Sequence, residues 1–152
     1  MPKRDDVHRC ACTILRQAAR VATQHFDRAL ASSGLRISQL SVLSTLRHVG
    51  PKSINELAEI MVLDRTTLGR NLRPLERDGL IAVQSDRQDR RLRKLALTKK
   101  GEKAAIRAID NWADAQTSFE NALGIENAIA LSKLLRQVVN AEYKNEITAR
   151  KE

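Results

Sequence analysis

Residues 64–79 read Asp-Arg-Thr-Thr-Leu-Gly-Arg-Asn-Leu-Arg-Pro-Leu-Glu-Arg-Asp-Gly. Leu68, Leu72 and Leu75 recur at i, i+4 and i+7, the spacing of one buried helix face. Arg65, Thr66, Thr67, Gly69, Arg70, Asn71, Arg73 and Arg77 fall off that stripe and face outward. Asp64 is a good N-cap and Gly79 a good C′ residue, so both helix ends are written locally. Arginine pairs with guanine edges, asparagine with adenine, and threonine offers a hydroxyl or a methyl. The outer face therefore has the residue types that read DNA. The alternative is a solvated basic face on a core helix, because exposed arginine is common. Pro74 falls inside the segment; it removes a hydrogen bond to the carbonyl of Arg70 and predicts a bend, which places base contacts before it.

The flanks of this stretch bear on that choice. Upstream, Ser53-Ile-Asn-Glu56 is a capping box opening a short helix through Ile54, Leu57, Ala58 and Met61. Val62-Leu63 forms the turn into Asp64, so two short helices meet at a tight turn as in a helix-turn-helix. Downstream, Leu80–Gln84 is β-prone and Arg93–Leu97 alternates polar and apolar residues. The charged connector 85–92 between them makes a β-hairpin, a wing beside the reading helix. Further out, a helix over 7–31 carries Val7, Cys10, Ile14, Ala18, Val21, His25 or Phe26 and Ala29 on one stripe. A second, from Ile37 to His48, lines up Leu40, Leu43 and Leu46. Thr98 caps a long helix to about 123 with Ala105, Ile109, Trp112, Phe119 and Leu123 on one side. After Gly124, a last helix runs from about Glu126 to Arg150 through Leu131, Leu134, Leu135, Val138 and Ala141.

The expected fold is mainly α with a small β-wing. An N-terminal dimerisation helix (1–35) precedes a winged helix-turn-helix domain (36–98), and C-terminal dimerisation helices (99–152) follow. The apolar stripes of the terminal helices extend outside the winged core, and a two-fold dimer that interlocks them is the economical way to cover them. Folding them back on a monomer is the alternative.

Charge supports a polyanionic partner. The 152 residues carry a formal net charge of +9 and a pI near 10.2. Between Arg65 and Lys103 lie 12 basic and 5 acidic residues, which places +7 of the +9 around the reading helix and wing. No secretory h-region and no membrane-length apolar run occurs, and two cysteines two positions apart make no disulfide framework. These features predict a cytoplasmic protein. No Gly-rich phosphate loop, nucleophile–base constellation or carboxylate pair in an apolar setting supports an enzyme, and nothing calls for a cofactor.

Several motifs resemble those of the MarR family of winged-helix transcription regulators, over nearly the whole chain from Cys12 to the last helix. They are Leu63-Asp-Arg-Thr-Thr-Leu, Leu75-Glu-Arg-Asp-Gly-Leu-Ile, Asp89-Arg-Arg, and Leu97-Thr-Lys-Lys-Gly101. The resemblance implies a homodimer built through its first and last helices, and most commonly a repressor released by a small molecule or an oxidant. It also implies that Arg91 of the wing enters the minor groove while Asp89 holds it. Thr66, Thr67, Arg70 and Asn71 are then expected on base edges. Arg65, Arg73 and Arg77 are expected on phosphates, with Arg87, Arg90 and Arg93 on the backbone flanking the wing. Two-fold symmetry predicts a pseudo-palindromic operator with half-sites about 10 bp apart. The opposing class is a winged-helix module that binds RNA or protein without an operator.

Smaller signals remain. His8, Cys10 and Cys12 have metal-ligand chemistry, but i, i+2 and i+4 do not share a helix face and no fourth ligand is near, so no metal site is expected. Cys12 falls where the family's hydroperoxide sensors carry their reactive cysteine, without the tyrosines that surround it there; the chain's one tyrosine is Tyr143. Two small buried apolar cysteines are the alternative. The resemblance places an effector crevice between dimer helices and winged core, where Arg20, His25 and His48 are candidate lining residues.

Overall fold

The computed structural model describes residues 10–85 and 92–141. The chain packs as two compact units, Met1–Ala115 and Gln116–Glu152.

In the first unit, α1 (Ala11–Leu30) ends in a 3₁₀ turn at Ala31–Ser33 and leads to α2 (Ile37–Val49). The carboxylate of Asp27 on α1 accepts the Ile37 amide at 2.7 Å, so one helix caps the next. Gly50 stops α2, and the capping box forms as the sequence predicts. Ser53 N donates to Glu56 Oε2 at 2.8 Å, and Glu56 N donates to Ser53 Oγ at 3.3 Å. This box opens α3 (Ile54–Ile60). Val62 then takes φ +53, a strained conformation for a β-branched residue, and turns the chain into α4 (Arg65–Arg77). The wing is β1 (Ile81–Ser85) antiparallel to β2 (Arg93–Leu97), with Ile81 opposite Leu97 and Ser85 opposite Arg93. Lys52 adds a bridge that the sequence did not disclose: its amide and carbonyl pair with those of Leu95 at 3.1 and 2.7 Å, flanking β2 on its second side.

Leucine and alanine build the core. Leu30, Val42, Leu43, Leu46, Leu57, Leu68 and Leu75 are fully buried, and α2 supplies three of them. The expected stripes of α2, α3 and α4 all face this cluster, and α4 runs without a break through Pro74.

The next helix, α5 (Lys99–Leu123), buries Ala105 as expected and corrects the rest of the expected stripe. Its buried residues are Gly101, Ala104, Ala105, Ala108 and Ala115, whereas Ile109 and Trp112 are 37% and 39% exposed. The close approach of backbone to backbone explains the difference. A Cβ on Gly101 would lie 2.0 Å from the Leu80 carbonyl oxygen, so only glycine fits and only small residues continue the seam. His25 Nε2 on α1 lies 2.9 Å from the Ala115 carbonyl, and Asn111 Nδ2 donates to Ser32 Oγ at 2.6 Å.

In the second unit, Gly124 breaks the chain and Asn127 Nδ2 donates to the Leu123 carbonyl at 2.9 Å. The last helix, α6 (Ile125–Asn140), ends earlier than expected. Ala141 is already extended, and 142–150 of the expected helix lie outside the described residues. Ile129, Leu134 and Val139 are 65%, 58% and 61% exposed, and on α1 Ile14 and Val21 are 51% and 67% exposed. No helix among the described residues is long and apolar enough to cross a membrane.

Substituting Gly101→Ala drives a methyl into the Leu80 backbone. It is expected to cost about 1–3 kcal/mol, the range for overpacking, read as a lower denaturant midpoint at unchanged m-value.

Candidate nucleic-acid interface

Helix α4 is held at both ends by groups the sequence supplies locally. Asp64 Oδ1 accepts the Thr67 amide at 2.9 Å, and the Thr67 hydroxyl donates to Asp64 Oδ2. That hydroxyl bond is the main reason the Asp64 carboxyl is held below the usual carboxylate range, with the Thr67 amide second. At the other end Gly79 adopts φ +69. Its amide donates to the Glu76 carbonyl at 3.0 Å, and Leu80 N donates to the Leu75 carbonyl at 2.8 Å. This is the paired hydrogen-bond pattern of a Schellman motif, and buried Leu75 and Leu80 supply its apolar contact.

Between these ends the helix separates its two faces sharply. Leu68, Leu72 and Leu75 are buried, while Arg65, Thr66, Thr67, Arg70, Arg73 and Arg77 are exposed and Asn71 is half-buried. Arg65, Arg70 and Arg73 have no ion-pair partner among the described residues. Arg77 differs: Nε lies 2.8 Å from Asp78 Oδ1 and Nη2 lies 3.3 Å from Oδ2. The pair raises the Arg77 pKa and lowers that of Asp78. Thr67 spends its hydroxyl proton on the cap, so toward a ligand it offers its methyl and an oxygen lone pair.

On the wing, Arg93 is exposed on β2. Arg87, Asp89, Arg90 and Arg91 lie outside the described residues, as does His8 of the cysteine motif. Cys10 and Cys12 are both free and exposed, which overturns the reading of two buried apolar thiols. The thiol of Cys10, at the N-cap of α1, is lowered below its ordinary value, first by the backbone amide of Thr13.

A cavity of about 380 Å³ opens in the first unit, lined by Ile37, Leu40, Ser41, Ser44, Ile109 and Trp112. None of Arg20, His25 and His48 lines it. Arg20 Nε instead donates to the Arg16 carbonyl at 3.2 Å, His25 meets Ala115, and His48 is exposed near the end of α2. The signal for this cavity was Ile109 and Trp112, large residues at i and i+3 on a helix whose buried seam is alanine.

Comparison with known proteins agrees with this geometry. The MarR family profile matches residues 35–92. A protein of Bacillus cereus named as an HTH-type transcriptional regulator is 31% identical over 114 residues, 74% of this chain and 76% of the relative. The transcriptional activatory protein BadR of Rhodopseudomonas palustris is 33% identical over 90 residues, 57% of this chain and 51% of BadR. The matched region thus spans about half the length of that relative. Among solved structures, the M. tuberculosis transcriptional regulator MosR in complex with DNA has a TM-score of 0.69 at 34% identity, covering 87% of this chain and 99% of MosR.

The Asp64 cap yields a pH prediction. Its carboxyl pKa is depressed in the folded state, so its contribution is complete above about pH 4, the ordinary aspartate value, and is lost as pH falls through the folded-state pKa. Thermal melts are expected to show Asp64→Ala less stable than wild type near neutrality, with the gap narrowing on the acid side of that value. A gap independent of pH would reject the cap as its source.

Proposed function

The chain belongs to the MarR family of transcription regulators, and we propose that it binds double-stranded DNA sequence-specifically as a homodimer, with α4 in the major groove. The observation that carries this reading is the exposed Arg-Thr-Asn face of α4, capped at both ends and set on a buried leucine stripe. Thr66, Thr67, Arg70 and Asn71 occupy its first two turns, where base edges are read; Arg65, Arg73 and Arg77 suit phosphates. Arg93 and the wing residues Arg87, Arg90 and Arg91, with Asp89 beside them, complete the contact on the minor-groove side. Gly69 supports the assignment. It sits mid-helix, where glycine costs about 1 kcal/mol against alanine, yet a Cβ there would meet nothing within 4 Å. A close approach by a ligand accounts for a glycine that the fold itself does not require.

Homodimerisation follows from the apolar side chains exposed on α1 and α6, which a second copy covers. A symmetric pair selects a pseudo-palindrome with half-sites about 10 bp apart. We extend the reading to repression in the cytoplasm, relieved by an effector. The cavity beside Trp112 fits a small apolar molecule, and exposed Cys12 offers an oxidant a second route.

Selection from a randomised duplex library with the full-length protein tests the reading and defines the operator. Arg70→Ala is expected to relax sequence preference by about 1–3 kcal/mol at one position of each half-site, whereas Arg77→Ala weakens all duplexes evenly. Equal effects of both substitutions on every sequence would reject the assignment of roles. With roughly 6–10 phosphate contacts per dimer, affinity should fall about 10³-fold or more between 50 and 200 mM salt. A flat response would exclude the basic block as the contact surface, and a single-stranded RNA that outcompetes duplex would favour the RNA-binding alternative.

A further inference from the structure

The motif Leu97-Thr98-Lys99-Lys100-Gly101 takes no part in the DNA contacts assigned above, yet it grips the end of the helix that makes them. Three consecutive carbonyls follow the last turn of α4, and all three find donors in residues 98–100. Lys100 Nζ donates to the Asp78 carbonyl at 2.7 Å. Thr98 Oγ1 donates to the Gly79 carbonyl at 2.8 Å, and Thr98 N donates to the Leu80 carbonyl at 3.1 Å. The same Thr98 oxygen accepts the Gly101 amide at 3.0 Å, which caps α5. Gly101 then lies so close beneath Leu80 that no side chain fits between them.

One threonine therefore joins three elements: the C-terminal turn of α4, the end of β2 and the first turn of α5. Lys100 adds a cation at the negative end of the α4 dipole. It also fixes the backbone of Asp78, whose carboxylate holds the Arg77 guanidinium. The junction and the Asp64 cap together fix the angle of α4 against the wing, and with it the register of Thr66, Thr67, Arg70 and Asn71.

We propose that Thr98 and Lys100 are positioning residues for sequence recognition: they set the pitch of α4 against the wing without themselves touching DNA. The inference rests on the DNA-reading function proposed above and names a part of that function which no contact surface reveals. It separates cleanly from a phosphate contact by Lys100. Loss of a phosphate contact weakens every duplex and lowers the salt slope by about one, whereas loss of pitch weakens only the duplex whose base edges must be met in register.

The test uses the full-length protein, the best duplex from the selection, and a scrambled duplex of the same composition, each titrated by fluorescence anisotropy over a range of salt. Thr98→Val and Lys100→Met are expected to lose about tenfold on the selected duplex, the effect of one well-placed hydrogen bond. The scrambled duplex and the salt slope should be unchanged, and Thr98→Ser and Lys100→Arg should recover most of the loss. Lys100 is exposed, so its variant decides the matter even where Thr98→Val folds poorly. An even loss on both duplexes with a shallower slope for Lys100→Met would overturn the proposal, as would no loss at all. A wild-type protein that binds both duplexes equally would overturn the DNA-reading function itself.

Discussion

A helix that keeps its apolar residues on one seam commits every other side chain to solvent or to a ligand. In α4 that seam is Leu68, Leu72 and Leu75, buried to 4% exposure or less against α2 and α3. Burying these three leucines fixes the rotation of the helix about its axis, and rotation decides which arginines point outward. Truncating any one of them would cost about 2–5 kcal/mol, so the exposed arginine face is held by the same contacts that hold the fold. The two caps fix the remaining freedom, the axial position of the helix. Hydrophobic burial and end-capping together present a set of polar side chains that the protein interior does not use.

Much of this was legible in the sequence because the interactions concerned are local. The Ser53–Glu56 box, the Asp64 cap, the Gly79 terminator and the Thr98 cap each involve residues within a few positions of one another, and each forms as its residue types imply. The leucine stripes of α2, α3 and α4 were legible for the same reason. What escaped depends on where distant segments meet. The buried face of α5 is alanine because Gly101 lies against the Leu80 backbone, a contact between residues that no local periodicity reports. Ala105 of the expected stripe is buried, but the large residues Ile109 and Trp112 lie at the edge of that seam and line a cavity. The Lys52–Leu95 bridge is another such meeting.

The candidate site divides along the same line. The α4 residues were legible from amphipathicity, and all lie where a helical wheel puts them, Asn71 only partly exposed. The residues lining the cavity were not, because a cavity is a property of packing. Arg20 and His25 each meet a backbone carbonyl on or beside α1. The cysteines had a definite pattern but an indeterminate environment; both proved exposed, and Cys10 sits at the N-cap of α1, where its thiol pKa is lowered.

The Lys52 bridge also bears on how the molecule stays out of trouble with its neighbours. A two-stranded ribbon ordinarily offers both of its flanks to any passing extended chain, and such flanks seed aggregation. Here β2 is occupied on one side by β1 and on the other by the Lys52 backbone. The outer margin of β1 (Ile81–Ser85) has no such bridge in the described structure, and on β2 the bridge covers Leu95. The Lys52 backbone thus removes part of the template that the ribbon would offer to a second copy of itself.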